Sequence, residues 1–277
     1  MTSARPAGSG ATLLRFATHR SSASLDLDDG ARLTSLRFDG RELLVPHEGR
    51  DPLWWGSFVM APWTGDLLDG TLRWDDRTWR VPTGPGGHAS HGTARLSRWT
   101  STGPGRAEAS LGDGWPFAGS VALTTELGTD ALRLGLRLRA EQDMPAAIGF
   151  HPWFPRYLSP GGAAARVELP AGSRMLLRHP DGAPSTRFVA LGPPPWNETV
   201  RCPVPVATIA WPGDGTLTLT WTSAFATVFT AHEQGVCVEP VTSPSGRMDD
   251  VLAAGETLDL NVTLTWTPWR PDEDGTP

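Results

Sequence analysis

Leu132-Arg133-Leu134-Gly135-Leu136-Arg137-Leu138-Arg139 is the stretch of this 277-residue chain that most clearly indicates its fold. Side chains alternate between the two faces of a β-strand, so this pattern puts leucines on one face and mostly arginines on the other. Residues 217–221 and 258–266 alternate in the same way, and Gly- and Asp-containing turn signals separate such runs. No segment carries a helical stripe longer than about three turns. The pattern predicts an all-β protein, an antiparallel sandwich or barrel.

The length and charge of the chain limit its organisation and its partners. No clean domain boundary is visible, so we predict a single domain over residues 11–270, with disordered tails at 1–10 and 271–277. A net charge of −6 argues against nucleic acid and anionic membrane surfaces as partners. Residues 1–19 contain no signal-peptide core and no membrane-spanning run, which predicts a cytoplasmic protein, either a monomer or a homodimer.

Two residue types restrict the chemistry. All 24 basic residues are arginine, which excludes a Schiff-base lysine and a phosphate-loop lysine. Cys202 and Cys237 are too few for a disulfide framework, and we predict two reduced, partly buried thiols; one disulfide between them is the alternative.

His151 lies in the segment Gly-Phe-His-Pro-Trp-Phe at residues 149–154. The following proline restricts its backbone to extended conformations, and alternation turns His151 and Trp153 to one face and Phe150 to the other. This places an aromatic platform beside a titratable imidazole. The pattern alone is equally compatible with a structural histidine bonded to a backbone carbonyl.

Glu239 lies in Gly-Val-Cys-Val-Glu-Pro at residues 235–240. Alternation puts Val236 and Val238 on one face of this strand and Cys237 and Glu239 on the other. Glutamate is seldom fully buried without a partner, so the pattern alone favours an exposed strand residue over a placed catalytic base.

Two histidines, His88 and His91, stand three apart in a glycine-rich stretch that predicts a loop. No third ligand follows at a recognisable spacing, so we expect no metal here and interpret His91 as a polar group facing a ligand. No nucleophile elbow, phosphate loop or dinucleotide fingerprint is present.

Taken in order, His91-Gly92, the segment 149–154 and the Val-Cys-Val-Glu-Pro segment 236–240 resemble the aldose 1-epimerase (galactose mutarotase) family. The resemblance implies a large antiparallel β-sandwich, the galactose mutarotase-like supersandwich, with a cleft for a hexopyranose and no cofactor or metal. It implies that Glu239 takes the proton of the anomeric hydroxyl and that His151 protonates the ring oxygen. His91 is expected to hold the ring-oxygen side of the sugar, and Trp153 to contact it.

Two positions depart from the family pattern. Asp66 stands where the family usually has an arginine that binds sugar hydroxyls, so a donor has become an acceptor. Asn197 stands where the family usually has an aspartate, which is a milder change. We expect both to contact the substrate and consider Arg73 or Arg247 as a replacement for the missing arginine.

The leading hypothesis is therefore an isomerase of carbohydrate metabolism, an aldose 1-epimerase that interconverts the anomers of a free sugar. One alternative is a non-catalytic sugar-binding protein on the same fold. Another is a hexose-phosphate 1-epimerase, in which Arg73, Arg77, Arg80 and Arg95 would bind the phosphate. A glycoside hydrolase requires a second carboxylate beside Glu239, and none is evident in the sequence.

Overall fold

The structure is a computed structural model that describes residues 12–179 and 184–270. Its regular elements within these ranges are antiparallel strands and two 3₁₀ turns, at Leu68–Gly70 and Ala94–Leu96. The prediction of an all-β chain is thus confirmed. The tails predicted at 1–10 and 271–277 lie outside the described residues, and the single domain stays a prediction.

The strands follow one another in chain order: β1 Leu13–Ala17, β2 Ser21–Asp26, β3 Arg32–Phe38, β4 Arg41–Glu42, β5 Ser57–Met60, β6 Asp66–Leu67, β7 Thr71–Trp74, β8 Arg77–Arg80, β9 Ala89–Ser90, β10 Thr100–Gly103, β11 Arg106–Ser110, β12 Gly119–Leu127, β13 Ala131–Ala140, β14 Met144–Ala146, β15 Gly149–Pro155, β16 Arg166–Glu168, β17 Arg174–Arg178, β18 Pro184–Ala190, β19 Asn197–Arg201, β20 Val206–Trp211, β21 Gly215–Trp221, β22 Phe225–Phe229, β23 Gly235–Val241, β24 Asp250–Leu252 and β25 Thr257–Pro268.

Two sheets contain most of these strands. The large sheet has the order β1-β2-β3-β5-β15-β23-β22-β19-β17-β18, with β4 added beside β3. The small sheet has the order β10-β11-β12-β13-β25-β21-β20-β16. Three two-stranded ribbons, β6–β9, β7–β8 and β14–β24, complete the pairing. The arrangement is an antiparallel β-sandwich, as predicted.

The predicted leucine face of β13 forms part of the core between the sheets. Leu132, Leu134, Leu136 and Leu138 are buried, whereas the arginines between them are exposed. Residues of both sheets line one small void, among them Phe150 of the large sheet and Leu264 of the small sheet. Each buried leucine contributes on the order of 1.5–3 kcal/mol, so the strict alternation determines which face turns inward.

The two faces of the large sheet have different uses. Val236 and Val238 of β23 and Phe150 of β15 point into the main core. Cys237 and Trp153 belong instead to a separate apolar cluster on the opposite face. The alternation predicted for both segments is therefore confirmed, and it directs the candidate catalytic residues to the outer face.

Two further observations concern the whole chain. Cys202 and Cys237 are both buried and unpaired, which confirms the prediction of free thiols. No helix in the described part of the chain has the length and apolarity that crossing a membrane requires.

Candidate active site

His151 and Glu239 lie side by side on the outer face of the large sheet. Their strands are neighbours, and the pairs Gly149–Val241 and Trp153–Cys237 bracket the two residues in register. The His151 Nε2 atom is 3.5 Å from Glu239 Oε1. Both residues are buried, with exposed fractions of 7% and 4%. The interpretation of Glu239 as an exposed strand residue is therefore wrong, because loops cover this face of the sheet.

His91 reaches the same place from a loop. Its backbone is in the left-handed region at φ 61°, and its N–H donates to the Gly65 carbonyl at 2.9 Å. Gly92 follows at φ 78°, where an added Cβ would lie 2.0 Å from the Ala61 carbonyl oxygen. Only glycine allows this close approach. The tight turn points the His91 ring at the edge of His151, with the ring centroids 5.0 Å apart.

Two aromatic rings stack against the His151 ring and hold it in place. Phe58 of β5 stacks on it at a centroid distance of 4.5 Å and an interplanar angle of 25°, and Trp153 stacks on it at 5.9 Å and 28°. The fully buried Arg32 guanidinium lies over Phe58 at 5.2 Å. Stacking of this kind restricts rotation of the ring and fixes the direction in which Nε2 points.

Burial determines the charge state of the pair. Removal from water lowers the pKa of His151 well below its usual value, and the neighbouring His91 lowers it further. Burial also lowers the pKa of His91, to about 4. Burial raises the pKa of Glu239 well above its usual value. The ligand-free site therefore favours neutral imidazoles and a protonated carboxyl, so that the His151–Glu239 pair carries one titratable proton, on Glu239.

Trp153 is more deeply buried than the sequence suggested. Only 2% of it is exposed, and its indole N–H donates to the Leu53 carbonyl at 2.7 Å. Trp54, which is partly exposed, packs against its ring at 5.1 Å. Direct contact between Trp153 and a sugar stays a prediction, and Trp54 is the indole nearer to solvent.

Asp66 lies beside the His91 loop. It pairs in register with Ser90, whose hydroxyl donates to Asp66 Oδ1 at 2.5 Å. Asp66 is exposed and close enough to favour the protonated form of His91. Its contact with substrate stays a prediction.

Arg95 is the arginine that the sequence reasoning did not connect with the histidines. It follows His91 by four residues in the second 3₁₀ turn, and its Nε donates to the Ser90 carbonyl at 3.2 Å. Its positive charge lowers the pKa of both His91 and His151. No ion pair joins it to a carboxylate of the described residues within 4.0 Å. The only indication in the sequence was that Arg95 lies close to His91-Gly92 along the chain.

The arginines that we expected as replacements lie elsewhere. Arg247 donates to Asp249 and to the Ser185 carbonyl, so its hydrogen-bonding capacity is engaged. Arg73 and Arg77 are exposed on the β7–β8 ribbon. The four arginines proposed for a phosphate therefore do not converge on the histidines. Of these four, only Arg95 lowers the pKa of both His91 and His151.

Asn197 lies on the same face as Glu239, but at a distance. The register pairs Asn197 with Phe229 and Phe229 with Cys237, so Asn197 is two strands from β23. With about 4.8 Å between strands, the separation is roughly 10 Å. Asn197 is exposed, and its contact with substrate stays a prediction.

A group of buried hydroxyls beside Glu239 was also missed. Thr227 is opposite Glu239 in the register, and its hydroxyl is 2.6 Å from that of Ser245. Thr199 lies 3.4 Å from Thr227 on the next strand. These contacts attach the loop after β23 to β22, the strand paired with the one that carries the carboxyl group. Threonines in a strand are ordinary β-formers, so their sequence pattern gave no signal.

One set of residues has the chemistry of a metal site. The candidate ligand atoms of His151, Cys237 and Glu239, all buried, lie within 4.8 Å of one another. Burial and the nearby Glu239 raise the pKa of the Cys237 thiol well above its usual value, which disfavours the thiolate that a metal requires. The donor set therefore fits proton transfer better than metal binding.

Comparison with known proteins identifies the family and the fold. The sequence matches the family model described as aldose 1-epimerase over residues 15–209. No curated protein matches it significantly.

Several solved structures share the fold. A putative aldose 1-epimerase from Escherichia coli K12 superposes with a TM-score of 0.78 at 18% identity, covering 94% of this chain and 100% of that one. A galactose mutarotase-like protein from Clostridium acetobutylicum gives 0.82 at 15% identity, covering 93% and 95%. A galactose 1-epimerase from Lactobacillus acidophilus NCFM gives 0.75 at 11% identity, covering 96% and 97%.

Proposed function

The chain belongs to the aldose 1-epimerase family, and we propose that it interconverts the α and β anomers of a free aldose. The observation that carries this proposal is the buried His151–Glu239 pair, whose proton-transferring atoms are 3.5 Å apart. Ring opening requires one proton to leave the anomeric hydroxyl and another to reach the ring oxygen. Both oxygens are bonded to the same carbon, so two adjacent groups can serve them at once.

The steps balance as follows. Glu239 takes the proton of the anomeric hydroxyl, the electron pair of that O–H bond becomes the second C1–O bond of the carbonyl, and the bond between C1 and the ring oxygen breaks with its electron pair going to the ring oxygen. His151 delivers a proton to the ring oxygen. Rotation about C1–C2 presents the other carbonyl face, and ring closure reverses both proton transfers. No net proton is consumed, which suits a pair that shares a single proton.

The ligand-free protonation state adds one requirement. Burial favours the proton on Glu239, whereas ring opening in this direction begins with the proton on His151. The proton therefore passes from Glu239 to His151 when sugar binds, and ring opening returns it. His91 is neutral, because burial lowers its pKa to about 4. It would serve the ring oxygen as a hydrogen-bonding group rather than as a charged acid.

Polarimetry tests the proposal. Mutarotation of freshly dissolved α-D-glucose and α-D-galactose is followed with the protein, with Glu239→Gln and with His151→Asn. Glu233→Gln and His19→Asn, at exposed positions, are the matched controls. We expect acceleration that each active-site variant reduces by about 10²–10⁴-fold and that the controls retain. If several aldoses mutarotate at their spontaneous rates in the presence of intact protein, the proposal is overturned. Binding of those sugars, measured by calorimetry, would then favour a sugar-binding protein.

Arg95 favours a second candidate, a hexose-phosphate 1-epimerase. Its guanidinium is largely desolvated, which lowers its pKa, and the nearby Arg32 lowers it further, with Asp51 and Asp29 partly offsetting the effect. An incompletely neutralised cation beside the histidines attracts an anionic group. Competition by inorganic phosphate and turnover of glucose 6-phosphate distinguish the candidates. Arg95→Ala should abolish the competition, whereas Arg73→Ala should not. Absence of competition would exclude this candidate.

A further inference from the structure

A second surface carries aromatic side chains outside the His151 site. The β7–β8 ribbon lies over Phe117 and leaves an open groove of about 360 Å³. Trp74 and Trp79 line it and are partly exposed. Phe117 lies beneath both indoles, at ring distances of 5.2 Å and 5.1 Å. Asp75 and Arg77 stand at the edge of the groove.

The ribbon fixes the direction of the two indoles. Trp79 of β8 is paired with the buried Leu72 of β7, and Trp74 lies two residues after Leu72 on β7. All three side chains therefore share one face of the ribbon. Asp75 and Asp76 form the connecting turn with φ 50° and 55°. Positive φ at both central residues is the geometry of a tight hairpin turn that matches the strand twist. The indoles are therefore held in place before any ligand arrives.

The groove contains unused hydrogen-bonding capacity. The indole N–H groups of Trp74 and Trp79 donate to no residue of the described chain. Five other indoles donate to backbone carbonyls. Asp75 and Arg77 likewise contact no partner side chain among the described residues. The carboxylates of Asp75 and Asp143 and the guanidinium of Arg77 line the groove beside the aromatic faces, so its surface is amphipathic and carries charges of both signs.

We propose that this groove is a carbohydrate-binding surface that takes one pyranose unit of a neutral oligosaccharide. A pyranose has an apolar C–H face that packs on indole and a ring of hydroxyls that donate and accept at its edge. The groove offers both features, since the carboxylates of Asp75 and Asp143 accept hydrogen bonds from hydroxyls and the Arg77 guanidinium donates to them. Two carboxylates beside one guanidinium disfavour an anionic ligand. Its volume lies within the range of small-molecule sites. The inference does not depend on the chemistry of Glu239.

Indole NMR tests the proposal on the full chain labelled with ¹⁵N-tryptophan. The probes are maltoheptaose, cellopentaose, laminaripentaose and mannopentaose. Trp74→Phe and Trp79→Phe assign the two N–H signals and preserve packing on Phe117. We expect saturable shifts of both signals with at least one probe, and an affinity loss of about tenfold or more in Trp79→Phe.

The indole signal of Trp269, which is 54% exposed, serves as the control for non-specific stacking of the probes. Shifts of Trp269 equal to those of Trp74 and Trp79, or no shift with any probe, would overturn the proposal. Glu239→Gln should retain the groove shifts, and Trp79→Phe should retain mutarotation. Loss of groove binding and loss of catalysis are thus measured separately.

Discussion

Replacement of Glu239 by glutamine should have opposite effects on stability and on catalysis. The carboxyl group is 4% exposed, and its nearest titratable contact is the neutral His151 ring at 3.5 Å. Burial raises its pKa well above the usual value, so the ionised form is less stable in the folded chain than in the unfolded chain. Glutamine has nearly the same shape and carries no charge at any pH.

The pH dependence follows from the sign of this shift. A group whose folded-state pKa is raised contributes its stability below the unfolded pKa, and that stability is lost as the pH rises toward the folded pKa. Wild type should therefore lose about 1.4 kcal/mol relative to Glu239→Gln for each pH unit above roughly 4.5, until the folded pKa is reached. In a chain of this size that corresponds to a Tm gap that widens by about 3–6 °C per pH unit.

Calorimetry of wild type, Glu239→Gln and the exposed control Glu233→Gln between pH 4 and pH 8 measures the gap. Titration of His151 affects all three proteins, so its contribution largely cancels in the differences. The same preparations, assayed by polarimetry, should show a rate loss of about 10²–10⁴-fold in Glu239→Gln alone. Tm curves of Glu239→Gln and wild type that run parallel with pH would refute the argument from burial, and an unchanged rate would refute the role of Glu239 as base.

Three further predictions follow from the geometry. Because burial lowers the pKa of His91 to about 4 and that of His151 well below 6.5, kcat/KM should stay constant as the pH falls through 6.5; a limb centred near 6.5 would contradict this. Gly92→Ala should destabilise far more than Gly40→Ala in thermal unfolding, since both have φ 78° but only Gly92 faces a carbonyl at 2.0 Å; equal losses would assign the effect to φ alone. Leu136→Ala should lower the free energy of unfolding in urea by about 2–5 kcal/mol, because its side chain is fully buried; a loss below 1 kcal/mol would place it outside the core.

Alternation accounts for what the sequence could predict. The period of two in β13 is a local property, and it correctly assigned the buried leucines and the exposed arginines. The same rule put Cys237 and Glu239 on the face opposite Val236 and Val238. What lies above an outer face depends on loops from distant parts of the chain. The burial of Glu239 therefore could not be predicted from its strand.

The remaining site features depend on long-range contacts. Thr227 and Ser245 meet across separate elements, and Trp54 covers Trp153 from a loop about a hundred residues earlier in the chain. Arg95 approaches the histidines because a left-handed turn at His91 is followed by a 3₁₀ turn. No residue type at these positions is unusual by itself. Only the packed structure shows these contacts.

The division of the large sheet into two faces explains how the fold accommodates buried titratable groups. The inner face is apolar and joins the core, so the position of each strand does not depend on what its outer residues do. The outer face can then hold the buried carboxyl of Glu239 and the buried imidazole of His151, whose desolvation costs stability. That cost makes the groups chemically useful, since it moves their pKa values away from those of free side chains. A residue that breaks the local rule of exposure, as Glu239 does, is therefore where function is expected in this fold.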